Sequence, residues 1–356
     1  MSYRNVSVLI TGGLGFIGSN LAIRLVEAGA RVTIVDPSVP GCGANLFNID
    51  PVRHDVELIA RDCGDAETFP QAIRRADLIF NLAGEISHIH SMEFPERDLL
   101  INGVSQLRFL QACVRYNPGV RIVYAGTRQV YGKPDYLPMD ERHPVRPVDF
   151  NGVHKYAANM YHLMLSRSGH LDAIVLRLTN VYGPRMTLRI PCQGFLSTFF
   201  RRVLTGQPLE VFGDGQQLRD PVYVDDAIEA FLLSGKCAAP EGRTYNVGGA
   251  RALSLLQIAE ICAQLGGSLP VSLRPFPPDR ASIDIGSYYT DSRLIERDLG
   301  WKPKTEFQQG AATTLAYYRE HLAEYLDPAN PEPFCSLPEH QGVQRKLMYA
   351  TVPEEN

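Results

Sequence analysis

Val6-Ser7-Val8-Leu9-Ile10-Thr11-Gly12-Gly13-Leu14-Gly15-Phe16-Ile17-Gly18 is the stretch whose reading decides the fold. Val6 to Thr11 is a short apolar, β-branched run, glycines punctuate the segment after it, and Gly18 to Ala28 is amphipathic, so the order is strand, tight turn, helix. The glycine spacing has a mechanical reason. Gly12 permits the turn, Gly15 lets backbone amides approach a pyrophosphate, and Gly18 lets the helix pack closely on the sheet while its N-terminus attracts negative charge. Gly12, Gly15, Phe16, Ile17 and Gly18 are therefore the cofactor-binding candidates of this turn. Val32 to Asp36 supplies the next strand, and Asp36, eighteen residues after Gly18, can accept both ribose hydroxyls of an adenosine. That carboxylate would repel a 2′-phosphate, and Pro37 and Ser38 offer no arginine to bind one, which favours NAD over NADP. The bland alternative is a simple glycine turn with Asp36 capping a loop.

Working outward, apolar runs at Leu78 to Ala83, Arg121 to Ala125 and Ala173 to Leu178 alternate with helical patterns such as Gln106 to Tyr116. Such alternation predicts an α/β fold, a Rossmann doubly wound parallel sheet covered on both faces. Beyond Gly183 the elements shorten around Pro184, Pro191, Pro208 and Pro221, and Phe195 to Leu204 looks helical, as do Asp225 to Ser234 and Leu253 to Leu265. The expected organisation is a cofactor domain over residues 1–183 with return segments near 220–250, a smaller, mostly helical substrate lobe over 184–325, and a C-terminal arm over 326–356. The chain of 356 residues is 45% hydrophobic and 21% charged with a net charge of -4, lacking the basic excess that nucleic acid binding needs. Seven scattered cysteines form no Cys-x-x-Cys pair, so no metal site is expected and a reducing cytoplasm fits. No run approaches the ~18 apolar residues of a membrane span.

The sequence resembles the extended short-chain dehydrogenase/reductase family, in particular nucleotide-sugar epimerases and dehydratases of the UDP-galactose 4-epimerase type. The resemblance runs from about Val6 to Pro303 and rests on ordered landmarks. These are Gly12 to Gly18, Asp62-Cys63, Asn81 to Gly84, Asn102, Thr127 to Gly132, Lys155, Leu176 to Arg185, Arg219 to Asp226 and Leu299 to Pro303. It implies that Asp62 reads the adenine amine beside the Cys63 backbone, and that Leu82, Ala83, Gly84 and Asn102 belong to the cofactor site. It implies a homodimer paired through the helices that start near Asn102 and contain Lys155, with Leu107, Leu110, Tyr161 and Leu165 at the seam or, equally, in the monomer core.

For the reaction, the resemblance implies oxidation of a sugar carbinol while a tyrosine takes the hydroxyl proton, a Ser or Thr holds the same oxygen, and a lysine holds the nicotinamide ribose. Thr127 is the hydroxyl candidate and Lys155 the lysine. The usual Tyr-x-x-x-Lys element reads Asn151-Gly152-Val153-His154-Lys155, with Asn151 where tyrosine should stand. An amide orients a hydroxyl but cannot take its proton. Tyr131, Glu85, His88, Asp149, His154 and Cys192 are the available replacements. Arg128-Gln129 occupies the place of the Asp-Glu pair that drives elimination in 4,6-dehydratases. The substrate candidates are Glu85, Arg128 for an anionic group, Asn180 and Arg219 for the nucleotide diphosphate, Arg185, and Arg280.

The leading expectation is an NAD-dependent nucleotide-sugar epimerase that oxidises and re-reduces a ring carbon. The alternatives are a dehydratase, decarboxylase or dehydrogenase on a similar substrate, or a binding protein that has lost turnover.

Overall fold

The computed structural model describes residues 2–39, 42–189, 194–237, 242–277 and 283–326. Arg280, Cys192 and the arm beyond Leu326 lie outside the described residues.

The strands in chain order are β1 (Ser7–Thr11), β2 (Arg31–Val35), β3 (Val56–Ile59), β4 (Leu78–Asn81), β5 (Arg121–Thr127), β6 (Asp172–Leu178), β7 (Val181–Tyr182), β8 (Leu209–Phe212), β9 (Leu218–Arg219), β10 (Val222–Tyr223), β11 (Arg243–Val247), β12 (Leu253–Ser254) and β13 (Val271–Arg274). Seven of them form one sheet in the order β3-β2-β1-β4-β5-β6-β11, parallel at every pairing. This is the Rossmann doubly wound sheet. Its central strands β1, β4 and β6 are buried almost throughout, as strands covered by helices on both faces must be. The order runs outward from β1 to β3, then resumes on the other side of β1 at β4. That reversal opens a crevice at the carboxyl ends of the strands, the place where ligands bind in such sheets.

The main helices are α1 (Phe16–Glu27), α2 (Pro70–Arg75), α3 (His88–Glu93), α4 (Pro95–Leu99), α5 (Ser105–Tyr116), α6 (Phe150–Arg167), α7 (Phe195–Leu204), α8 (Val224–Lys236) and α9 (Leu255–Leu265). Boundaries differ from the sequence pattern where tertiary contacts intervene. β5 runs on to Thr127 because Gly126 and Thr127 pair with Arg177 and Leu178 of β6. β2 stops at Val35, leaving Asp36 just past the strand. Leu253 and Ser254, expected as helix, pair with β9 instead, and Ser254 then caps α9 in a reciprocal box with Gln257.

One apolar cluster joins the sheet to the C-terminal elements, with Ile10, Phe80 and Leu176 in the same network as Phe200, Trp301 and Tyr318. A second cluster covers the opposite face and contains Leu110, which is fully buried, with Tyr161 and Leu165 packed on it. Leu110 therefore fills the protomer core and cannot serve a subunit seam. No described helix is long and apolar enough to cross a membrane, and no metal-ligating cluster occurs among the described residues.

Candidate functional site

The crevice has a volume of about 360 Å³, and its walls come from the segments after β1, β2, β3, β4, β5 and β6 and from Lys155 of α6. Gly12, at φ +71°, lies so near the neighbouring loop that a Cβ would stand 2.9 Å from the Ala83 nitrogen, and a Cβ on Gly18 would stand 2.2 Å from the Gly12 carbonyl oxygen. Only glycine fits either place. At the opening of α1, Gly15 is the N-cap with no side-chain cap, and the first turn holds no acid. Its free amides and positive dipole end face the crevice together with Phe16 and Ile17, a fit for a pyrophosphate. Asp36 accepts from the Leu14 amide at 3.1 Å and the Ser38 amide at 2.8 Å. Burial pushes its carboxyl up, and the two amides oppose that shift. Asp62, held by the Gly64 amide at 2.7 Å, and Cys63 line the same end, and Leu82, Ala83 and Gly84 line the middle.

At Gly84 a Cβ would meet the Lys155 ammonium at 2.4 Å, so the bare backbone there is what lets the lysine reach the crevice. Lys155 is 5% exposed, and burial pulls its pKa down to about 8 against the pull of Asp98 and Glu85. Asn102, expected at the cofactor, is not a wall residue. Its side chain accepts from the Glu85 amide at 3.1 Å and donates to the Glu85 carbonyl at 3.2 Å, fixing the turn that carries Gly84.

Thr127, Arg128, Gln129, Glu85 and His88 line the reacting end with Lys155. Asn151 does not. It is fully buried, with its amide nitrogen donating to the Glu85 carbonyl at 2.9 Å and to Asp98 Oδ2 at 2.8 Å. The residue in the tyrosine's place is thus a brace between α6, the turn after β4 and α4, and its two acceptors hold it away from the crevice. Of the replacement candidates, Tyr131 is buried and donates to Asn246 Oδ1 at 2.7 Å, and His154 is held by Asp98 Oδ1 at 2.7 Å. Glu85 faces Arg97 at 3.4 Å. His88 has its Nδ1 2.5 Å from Asp149 Oδ2.

At the nucleotide end Asn180 lines the crevice, and its Oδ1 is buried without a partner. Two expected arginines bond to the protein's own groups. Arg185, at φ +72°, donates to the Asn48 carbonyl at 3.0 Å and Asn20 Oδ1 at 2.9 Å, stacking on Tyr317. Arg219, 7% exposed, donates to the carbonyls of Leu218 at 2.7 Å and Gly286 at 2.6 Å. Both guanidiniums donate to backbone carbonyls. Arg128 stands over the Tyr288 ring at 4.9 Å, and burial lowers its pKa although the nearby Tyr288 and Asp220 oppose this. Asp220 is buried nearby, its carboxyl pushed up to about 7 by desolvation. Sequence reasoning passed over Gln129, which it read only as a missing acid; its two-residue offset from Thr127 was the one available signal.

A sheet reversed at β1, an uncapped helix after a glycine turn and an acid at the tip of the second strand define a dinucleotide-binding protein of the Rossmann class, with a lysine and a threonine at the far end of the crevice. The profile of the NAD dependent epimerase/dehydratase family matches residues 8–248. The UDP-glucose 4-epimerase of Mycolicibacterium smegmatis is 32% identical over 315 residues, 87% of this chain and 98% of that protein. Among solved structures, the UDP-glucose 4-epimerase of Thermotoga maritima with UDP-glucose superposes with a TM-score of 0.81 at 28% identity, covering 89% of this chain and 100% of that one. The dTDP-glucose 4,6-dehydratase DesIV of Streptomyces venezuelae, solved with NAD, does so with a TM-score of 0.81 at 26% identity, covering 90% and 99%. This chain belongs to the NAD-dependent epimerase/dehydratase family, and its cofactor is NAD.

Proposed function

We propose that the protein is an NAD-dependent epimerase of a nucleotide-activated sugar, inverting a ring carbon by transient oxidation to a keto-sugar and re-reduction. The observation that carries this is that one crevice joins the uncapped glycine turn and Asp36 to Thr127 and Lys155. Gly12 to Gly18 hold the pyrophosphate, Asp36 the adenosine ribose, and Asp62 with the Cys63 backbone the adenine. Leu82 to Gly84 support the middle of the cofactor, Lys155 its nicotinamide ribose, and Asn180 the nucleotide diphosphate. Bound NAD accepts and returns a hydride. Thr127 orients the reacting hydroxyl. Elimination is disfavoured because Arg128 and Gln129 stand where a dehydratase carries an acid pair, so the dehydratase reading lacks its base.

The working form is inferred to be a cytoplasmic homodimer, with residues 184–325 as the substrate lobe. Five described cysteines are free, which suits a reducing compartment. Phe150, Val153 and Met164 expose an apolar stripe along α6 beside Met92 and Leu99, which suits a subunit seam.

Incubation of the purified protein with NAD and a panel of UDP-, dTDP-, GDP- and CDP-sugars tests the function. A stereoisomer is expected without lasting absorbance of reduced cofactor and without solvent deuterium at carbon. A dehydrated or decarboxylated product, or no conversion of any member, overturns the reading.

A further inference from the structure

The family's tyrosine is absent, and its successor Asn151 is locked into a brace, yet oxidation of a carbinol must deliver a proton somewhere. Among the replacement candidates, His88 alone combines a place in the crevice wall with a titratable ring held by a buried acid. Asp149 is 5% exposed and caps α6 by accepting from the Gly152 amide at 2.6 Å with one oxygen. Its other oxygen lies 2.5 Å from His88 Nδ1. Burial works to raise the Asp149 carboxyl, but the His88 and Gly152 hydrogen bonds outweigh it and hold the group below its usual range, so it stays a carboxylate. A carboxylate at Nδ1 keeps the ring hydrogen on that nitrogen and leaves the lone pair on Nε2, the tautomer a base requires. The side chain of His88 is 36% exposed, and no described residue bonds its Nε2. Gln129 ties this pair to the reacting end. The Gln129 amide lies against both Thr127 Oγ1 and His88 Nδ1, and with the hydrogen on Nδ1 its oxygen is the atom that faces the ring while its nitrogen donates to the threonine.

We propose that His88 is the proton-transfer residue of this enzyme, with Asp149 and Gln129 as positioning residues. The inference rests on the epimerase reading above. In the oxidation the carbinol C–H bond breaks and its hydride, carrying two electrons, goes to the nicotinamide, while the hydroxyl proton passes to His88 Nε2 and the C=O bond forms. Re-reduction from the opposite face of the ketone reverses both transfers, so neither His88 nor the cofactor is consumed.

Two measurements on the full chain test this. First, NAD-loaded protein labelled with 15N-histidine is titrated with UDP-glucose and, separately, with UDP. The His88 Nε2 resonance, assigned from the His88→Gln spectrum, is expected to move with UDP-glucose and stay with UDP. An unmoved resonance at saturation by both overturns the proposal. Secondly, on whichever panel sugar is converted, His88→Gln is expected to lower kcat about 10²–10⁴-fold with the dissociation constant for UDP within threefold, and free imidazole is expected to restore part of the rate to His88→Ala. Asp149→Asn, which keeps a capping side chain, is expected to move the His88 tautomer equilibrium as well as kcat. Turnover by His88→Gln within threefold of the parent overturns the role of His88 while leaving the epimerase reading intact; failure of the parent on every sugar falls on that reading instead.

Discussion

The most consequential single residue is a lysine held in the wrong environment for its charge. Lys155 carries an ammonium at full burial, and desolvation brings its pKa from 10.5 to about 8. The unfolded chain keeps this proton up to its higher pKa, while the folded chain gives it up earlier. The burial cost is therefore present in full below pH 8 and shrinks as pH rises from 8 towards 10.5. Lys155→Met removes the charge at similar length, so its melting temperature should exceed that of the parent at pH 7, with the gap narrowing above pH 8. At ~1.4 kcal/mol per pKa unit the ceiling is about 3 kcal/mol. Turnover should collapse in the same variant. Equal melting temperatures at pH 7 would mean that the ammonium is solvated. The lysine and the glycines were legible in the chain because they stand at fixed offsets within one strand-turn-helix or one helix. The true partners of Asn151, Arg185 and Arg219 were not, since each bonds to segments far away in sequence.

At the scale of elements, α6 does two jobs from its first turn. Asp149 caps it and reaches His88, while Asn151 ties it to the Glu85 turn and Asp98. The helix is thus registered against the loop after β4 before Lys155 is presented one turn later. Asn151→Tyr, which would restore the family's motif on paper, puts a larger ring into a fully buried brace and deprives Asp98 of a donor. Overpacking of that kind costs about 1–3 kcal/mol. The expected result is a lower melting temperature and no gain in turnover, measured by thermal unfolding beside the sugar panel; a rise in turnover would show that proton transfer still runs through this position. The sequence offered only a helix containing Lys155, without its bounds, and no periodicity could say that its buried start faces Glu85 and Asp98.

At the scale of the whole molecule, the apolar stripe of α6 remains uncovered, with Val153 47% and Met164 53% exposed. A charge placed there should cost the protomer almost nothing and an assembled seam a great deal. Val153→Glu together with Met164→Glu is expected to convert a dimer into a monomer by light scattering, with the protomer melting within a few degrees of the parent; an unchanged mass would move the seam elsewhere. The sequence by itself determined the class of fold and the cofactor end of the site, because glycine spacing, strand alternation and the acid after the second strand are local patterns whose geometry the backbone enforces. Only the tertiary structure decided the reacting end. There His88 follows β4, Thr127 and Gln129 share the end of β5, and Asp149 precedes α6, and the meeting of these three segments depends on strand order and on burial, neither of which is written in the neighbourhood of any one residue.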